Sequence, residues 1–208
     1  MNLPNKLSIL RICLVPLFVV AYFLPYYWGS FVAVAIFVIA AVTDFLDGYI
    51  ARKYDLVTDL GKLLDPIADK ILICAALFCV VATNPLQYKA VQLAISVDYA
   101  GDFGQIFLAV GGAIIIAREL LVSAVRQIAA SKGVVVQANI YGKVKTVAQD
   151  MALPMLVLLY APKLSDDVYS VFFDVIWIVS VVLFGVAILM TLVSGIVYIV
   201  QNKKVFAD

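Results

Sequence analysis

The chain has 208 residues, 65% of them hydrophobic and only 14% charged, with a mean hydropathy of +1.07. A soluble domain is nearer half apolar and a quarter charged, so this composition excludes a soluble enzyme and implies an integral membrane protein. The net charge of +1 gives no sign of a nucleic-acid partner, and none is expected; the chain has no histidine, which leaves any acid–base work to carboxylates.

A membrane span needs about 20 mostly apolar residues. The first apolar segment covers roughly 7–28. It runs past the usual length of a signal peptide and no small-residue cleavage site follows it, so it reads as a retained span. Tyr26, Tyr27 and Trp28 at its end suit an interfacial aromatic belt. The second segment covers 30–51, and a polar stretch, 52–65, separates it from the third at 66–83, where Pro66 suits a helix start. Next comes the amphipathic stretch 84–103, with Pro85, Asp98, Gly101 and Asp102, which reads as an external loop or an interfacial helix. The remaining segments are 104–130, 144–161 and 170–201. Cys13, Cys74 and Cys79 all lie in apolar runs without CxxC spacing, as packing residues do. The expectation is an all-α polytopic membrane protein: six transmembrane helices in one bundle, with residues 1–208 as a single domain.

Lysine and arginine fall unevenly on the two sides. The N-terminus, the connections after the second and fourth segments with their flanks, and the C-terminus carry thirteen of the 15; only Lys89 and Lys163 fall on the other side. The positive-inside rule then places both termini and the stretch 52–65 in the cytoplasm.

The stretch DFLDGYIARKYDLVTDLGKLLDPIADK, residues 44–70, holds six aspartates. Asp44 and Asp47 are about 60° apart on one face near the end of the second span. Gly48 and Ala51 extend that face and let a ligand or another backbone come close. Asp65 and Asp69 are four residues apart where the third span begins. Antiparallel neighbours bring these faces together around one small volume. Four carboxylates there need cations to stay ionised, and oxygen-only ligands select Mg²⁺ or Mn²⁺. Two such ions would clamp the oxygens of a phosphoryl transfer. Boundary carboxylates are costly and usually functional. Asp55 and Asp59 read as solvated loop. Arg52 at a helix end is open to a simpler reading as a topology anchor.

Written as D-x2-D-G-x2-A-R-x8-G-x3-D-x3-D, residues 44–69 resemble the signature of the CDP-alcohol phosphatidyltransferase family at all eight fixed positions: Asp44, Asp47, Gly48, Ala51, Arg52, Gly61, Asp65 and Asp69. The resemblance implies a six-helix enzyme, a homodimer, that transfers a phosphatidyl group from CDP-diacylglycerol to an alcohol and releases CMP, with Mg²⁺ or Mn²⁺ required. It implies that Asp44, Asp47, Asp65 and Asp69 hold metal, that Asp69 is also the general base, and that Asn5, Gly48, Ala51, Arg52 and Gly61 line the CDP-diacylglycerol site. It places the enzyme in the bacterial cytoplasmic membrane with its active site on the cytoplasmic side.

NLPNKLSILR, AREL (117–120), VSAVRQIAASKG (122–133) and GKVKTVAQD (142–150) resemble the bacterial branch of that family whose acceptor is sn-glycerol 3-phosphate, although Ser8 stands where Thr is commoner. An anionic acceptor needs cationic donors. Arg118, Arg126, Lys143 and Lys145 lie near the same side of the membrane, and Thr146 and Gln149 would add hydrogen bonds. Arg118 lies well inside an apolar segment next to Glu119, the only glutamate in the chain. The pair reads as a buried site or as a structural ion pair. Rival acceptors within the family are serine, inositol phosphate and phosphatidylglycerol itself; the basic cluster argues against serine but not against inositol phosphate. A divalent-cation transporter is the rival class, but it would place carboxylates near the midplane of several spans and would leave Arg52 and Gly61 without purpose.

Overall fold

The computed structural model describes residues 3–53, 59–86, 97–131, 140–161 and 170–201. The described residues form six helices and no strand: α1 Leu3–Tyr22, α2 Tyr27–Lys53, α3 Asp59–Thr83, α4 Val97–Ser131, α5 Ile140–Leu158 and α6 Ser170–Gln201. The chain is thus an all-α membrane protein. Apolar windows long enough to cross a bilayer lie at Asn5–Tyr22, Phe103–Ala129 and Val171–Gln201, and shorter apolar stretches at Trp28–Asp44 and Lys70–Thr83. Large apolar side chains cover the outside, among them Leu17, Val20, Phe78, Ile106, Val171 and Ile196. Water would not tolerate that surface over a whole molecule, whereas lipid favours it.

Long-range contacts fix the direction of each helix. Phe18 of α1 packs on Phe37 of α2, and Arg11 on Asp44, so these two helices are antiparallel. The Tyr22 and Thr83 hydroxyls meet at 2.6 Å, so α1 and α3 end together. A Cβ on Gly104 of α4 would come within 3.3 Å of Asn84 and Leu86, while Glu119 shares a crevice with Lys70, Ile73 and Cys74, so α4 runs back along α3. The Tyr160 ring, just past α5, stacks on Tyr22 at 4.7 Å, so α5 runs parallel to α1. Gly111 faces Ile188 and Phe184 of α6, and Gly195 faces Arg118, so α6 runs parallel to α4. Direction alternates through all six helices. The start of α1 and the end of α6 therefore lie at the same end of the bundle, together with the aspartate motif.

Phe18, Tyr22, Phe37, Leu77, Leu108, Ile115, Leu153, Leu156 and Phe184 fill the interior. The end opposite the motif is tied by Tyr22, Phe23, Thr83 and Tyr160. There α3 stops at Thr83: Asn84 takes φ 44°, the left-handed conformation that ends helices and that asparagine tolerates, and its amide still reaches the Val80 carbonyl at 3.0 Å. The free cysteines are spread from exposed Cys13 to buried Cys79, as packing residues are.

Several boundaries differ from the sequence expectation. The third helix begins at Asp59 and not at Pro66, so Asp59 opens a helix instead of lying in a loop, and Pro66 lies inside it. The fourth begins at Val97, seven residues before the expected 104. Its 35 residues reach about 52 Å, beyond a hydrocarbon core of about 30 Å. Hydropathy marks where lipid ends, and a helix continues past that edge because its backbone hydrogen bonds are internal. Of the stretch 84–103, residues 87–96 lie outside the described part. So do Asp55, the remainder of 54–58, and the connections 132–139 and 162–169.

Candidate active site

The motif occupies two helix ends at one end of the bundle. Asp44, Asp47, Gly48, Ala51 and Arg52 fall in the last turns of α2, and Gly61, Asp65 and Asp69 in the first three turns of α3. Of these eight, only the side chain of Asp44 is described; the others lie outside the described side chains. Asp44 is half-exposed, and its Oδ1 lies 2.5 Å from Nη1 of Arg11, which is 1% exposed. Asn5, Ser8 and Arg11 repeat every three residues along α1 and are all buried. That spacing makes a polar stripe on one face of an otherwise apolar helix, turned inward. Asn5, expected to help line the CDP-diacylglycerol site, is part of it. Arg11 counted in the sequence only as a cytoplasmic charge; its position three residues after Ser8 in an apolar run was the available signal.

A second group lies at a similar depth. Oε1 of Glu119 accepts hydrogen bonds from Nη1 of Arg118 at 2.9 Å and from Nζ of Lys145 at 2.7 Å. One carboxylate oxygen thus gathers two cations from α4 and α5. Lys145 is fully buried, and Arg118 is mostly so. Two glycines make room for Arg118. A Cβ on Gly142 would come within 3.4 Å of Nη2, and one on Gly195 within 3.5 Å of Cγ. Nε of Arg118 is buried and has no hydrogen-bond partner among the described residues. Two cations sharing one carboxylate keep a net positive charge, which suits an anionic ligand.

Asp69 immediately precedes Lys70, which shares a crevice with Glu119. The third-helix end of the motif and the cationic group are therefore at one depth. Arg126, Lys143 and Thr146, which the sequence grouped with Arg118 and Lys145, are exposed and outside this cluster. The Thr146 hydroxyl donates to the Gly142 carbonyl of its own helix at 3.0 Å. Gln149 is fully buried one turn from Lys145. For a metal ion, the donor set of the motif is all carboxylate oxygen. Asp44 presents a half-exposed carboxylate already held on one side by a cation, which leaves lone pairs for a hard cation. This donor chemistry suits a hard divalent cation.

A family model described as CDP-alcohol phosphatidyltransferase matches residues 1–193. Curated relatives named CDP-diacylglycerol--glycerol-3-phosphate 3-phosphatidyltransferase include those of three bacteria. That of Bacillus subtilis (strain 168) is 36% identical over 214 residues, covering 97% of this chain and 95% of its own. That of Rickettsia felis is 35% identical, covering 99% and 97%. That of Shigella flexneri serotype 5b is 34% identical, covering 100% and 98%.

Proposed function

The chain belongs to the CDP-alcohol phosphatidyltransferase family, and on that premise we propose that it transfers the phosphatidyl group of CDP-diacylglycerol to sn-glycerol 3-phosphate, giving phosphatidylglycerophosphate and CMP. The full-length similarity to relatives of that name supports the acceptor. The observation that carries the reading is the Glu119 cluster, which holds Arg118 and Lys145 at the depth of the motif.

Asp44, Asp47, Asp65 and Asp69 would hold two divalent cations, Mg²⁺ or Mn²⁺, which when bound neutralise the diphosphate and improve CMP as a leaving group. Asn5, Gly48, Ala51, Arg52 and Gly61 line the CDP-diacylglycerol site, and the acyl chains remain in the bilayer. Arg118 and Lys145 bind the acceptor's phosphate, with Arg126, Lys143 and Thr146 nearer the entrance. Asp69 takes the proton from the acceptor's primary hydroxyl as its oxygen bonds to the phosphatidyl phosphorus and the bond to CMP breaks. Arg11 fixes the Asp44 carboxylate through their ion pair. The protein works as a homodimer in the bacterial cytoplasmic membrane, with this site facing the cytoplasm.

Purified protein with CDP-diacylglycerol and a panel of acceptors tests the reading by CMP release. Release with sn-glycerol 3-phosphate and not with serine or inositol phosphate is expected. Release with inositol phosphate alone would move the protein to another branch of the family.

A further inference from the structure

Gln149 is 0% exposed, and neither its Nε2 nor its Oε1 has a hydrogen-bond partner among the described residues. An unpaired buried amide costs folding free energy that an apolar side chain of the same size would avoid. A buried polar group left unpaired in the interior calls for an explanation, and a ligand is one. Its position is informative. It lies one turn beyond Lys145 on the buried face of α5, which it shares with Ala148 and Ala152. Asp150, the next residue, lines a crevice with Phe37, Val38, Ala41 and Val42 of α2. Those residues lie within about two turns of Asp44 on the side away from the motif's end, so Gln149 sits about one turn deeper in the bundle than Lys145 and the cationic cluster.

An amide offers one acceptor and two donor hydrogens, so it can both give to and take from the same hydroxyl. The proposed acceptor carries two hydroxyls, a primary one that reacts and a secondary one that does not. Residues four apart on a helix share a face with Cβ atoms about 6 Å apart, so a small ligand held by Lys145 is within side-chain reach of Gln149. We propose that Gln149 is a specificity-determining residue, whose amide binds the secondary hydroxyl of the acceptor while Arg118 and Lys145 hold its phosphate. This rests on the function proposed above. It deepens that reading by naming what distinguishes a polyol phosphate from a simple alkyl phosphate. A site built to hydrogen-bond a hydroxyl rejects the analogue lacking it, because its own polar groups stay unpaired.

The test compares sn-glycerol 3-phosphate with 3-hydroxypropyl phosphate, which keeps the phosphate and the reacting hydroxyl and lacks the secondary one. Full-length wild type and the variants Gln149→Leu and Gln149→Met are assayed in CDP-diacylglycerol micelles, and their thermal unfolding is measured. Wild type is expected to prefer the glycerol compound strongly. In Gln149→Leu that preference in kcat/KM should fall by about tenfold or more, with the KM for CDP-diacylglycerol unchanged. Thermal stability should stay level or rise, since an unpaired polar group has been removed. Equal losses on both acceptors in Leu and Met variants alike, a raised KM for CDP-diacylglycerol, or a lower unfolding temperature would overturn the assignment in favour of a nucleotide-binding or structural role. Wild type that releases CMP with neither acceptor would overturn the proposed function itself.

Discussion

At the scale of single residues, Glu119 and Asp69 should separate two kinds of contribution. Glu119 touches the two cations and, in the proposed site, no reacting atom. Glu119→Gln keeps an acceptor oxygen and removes the charge that gathers Arg118 and Lys145. The KM for sn-glycerol 3-phosphate should rise about tenfold or more, with the KM for CDP-diacylglycerol unchanged. Glu119→Ala leaves two largely buried cations without their shared partner, a loss that typically costs about 3–5 kcal/mol, so its unfolding temperature should fall clearly. Asp69→Asn removes the proposed base and should instead lower kcat by about 10²–10⁴-fold, with CDP-diacylglycerol binding retained. Steady-state kinetics with each substrate varied in turn distinguish these patterns. If Asp69→Asn also loses nucleotide and metal binding, Asp69 is a ligand first.

Helices set where these residues meet. The cationic cluster depends on the rotation and depth of α4 against α5 and α6, and Gly111 sets one of those contacts. A Cβ there would overlap the side chains of Ile188 and Phe184, so the small residue lets α4 and α6 approach closely. Gly111→Val should cost about 1–3 kcal/mol by overpacking, read as faster thermal inactivation. Gly112 on the next position faces Leu77 at ordinary contact distance, 3.5 Å, so Gly112→Ala should be nearly neutral. Equal effects of the two substitutions would mean that the α4–α6 approach is not the sensitive contact.

For the whole molecule, alternating helix directions bring the start of α1 and the end of α6 to the motif's end of the bundle, the side on which the sequence leads one to expect thirteen of the 15 basic residues. A cysteine at Lys204 should therefore resist a membrane-impermeant thiol reagent in intact cells and react after permeabilisation, whereas one at Lys163 should react from outside. Labelling in the reverse sense would invert the topology. The same end carries the carboxylates, and excess chelator should abolish CMP release while added Mg²⁺ or Mn²⁺ restores it. Asp44→Asn, Asp47→Asn and Asp65→Asn should each remain inactive under that rescue with the fold intact, as judged by unfolding temperature.

Composition alone determined that this is a helical membrane protein, because only lipid accommodates so apolar a surface. Local spacing determined that Asp44 and Asp47, and Asp65 and Asp69, share helix faces, because helical periodicity is a property of neighbouring residues. The fixed residues of the motif carried the family for the same reason. Helix ends were less legible: α3 starts at Asp59 and α4 at Val97, since hydropathy senses lipid and not hydrogen bonding. Only the tertiary structure decided that Arg11 reaches Asp44, that Lys145 joins Arg118 on one oxygen of Glu119 while Arg126 and Lys143 stay outside, and that Gln149 is buried without a partner among the described residues. Those outcomes depend on which helices are neighbours, how each is rotated and how deep it sits, and these are fixed by packing between residues far apart in the chain.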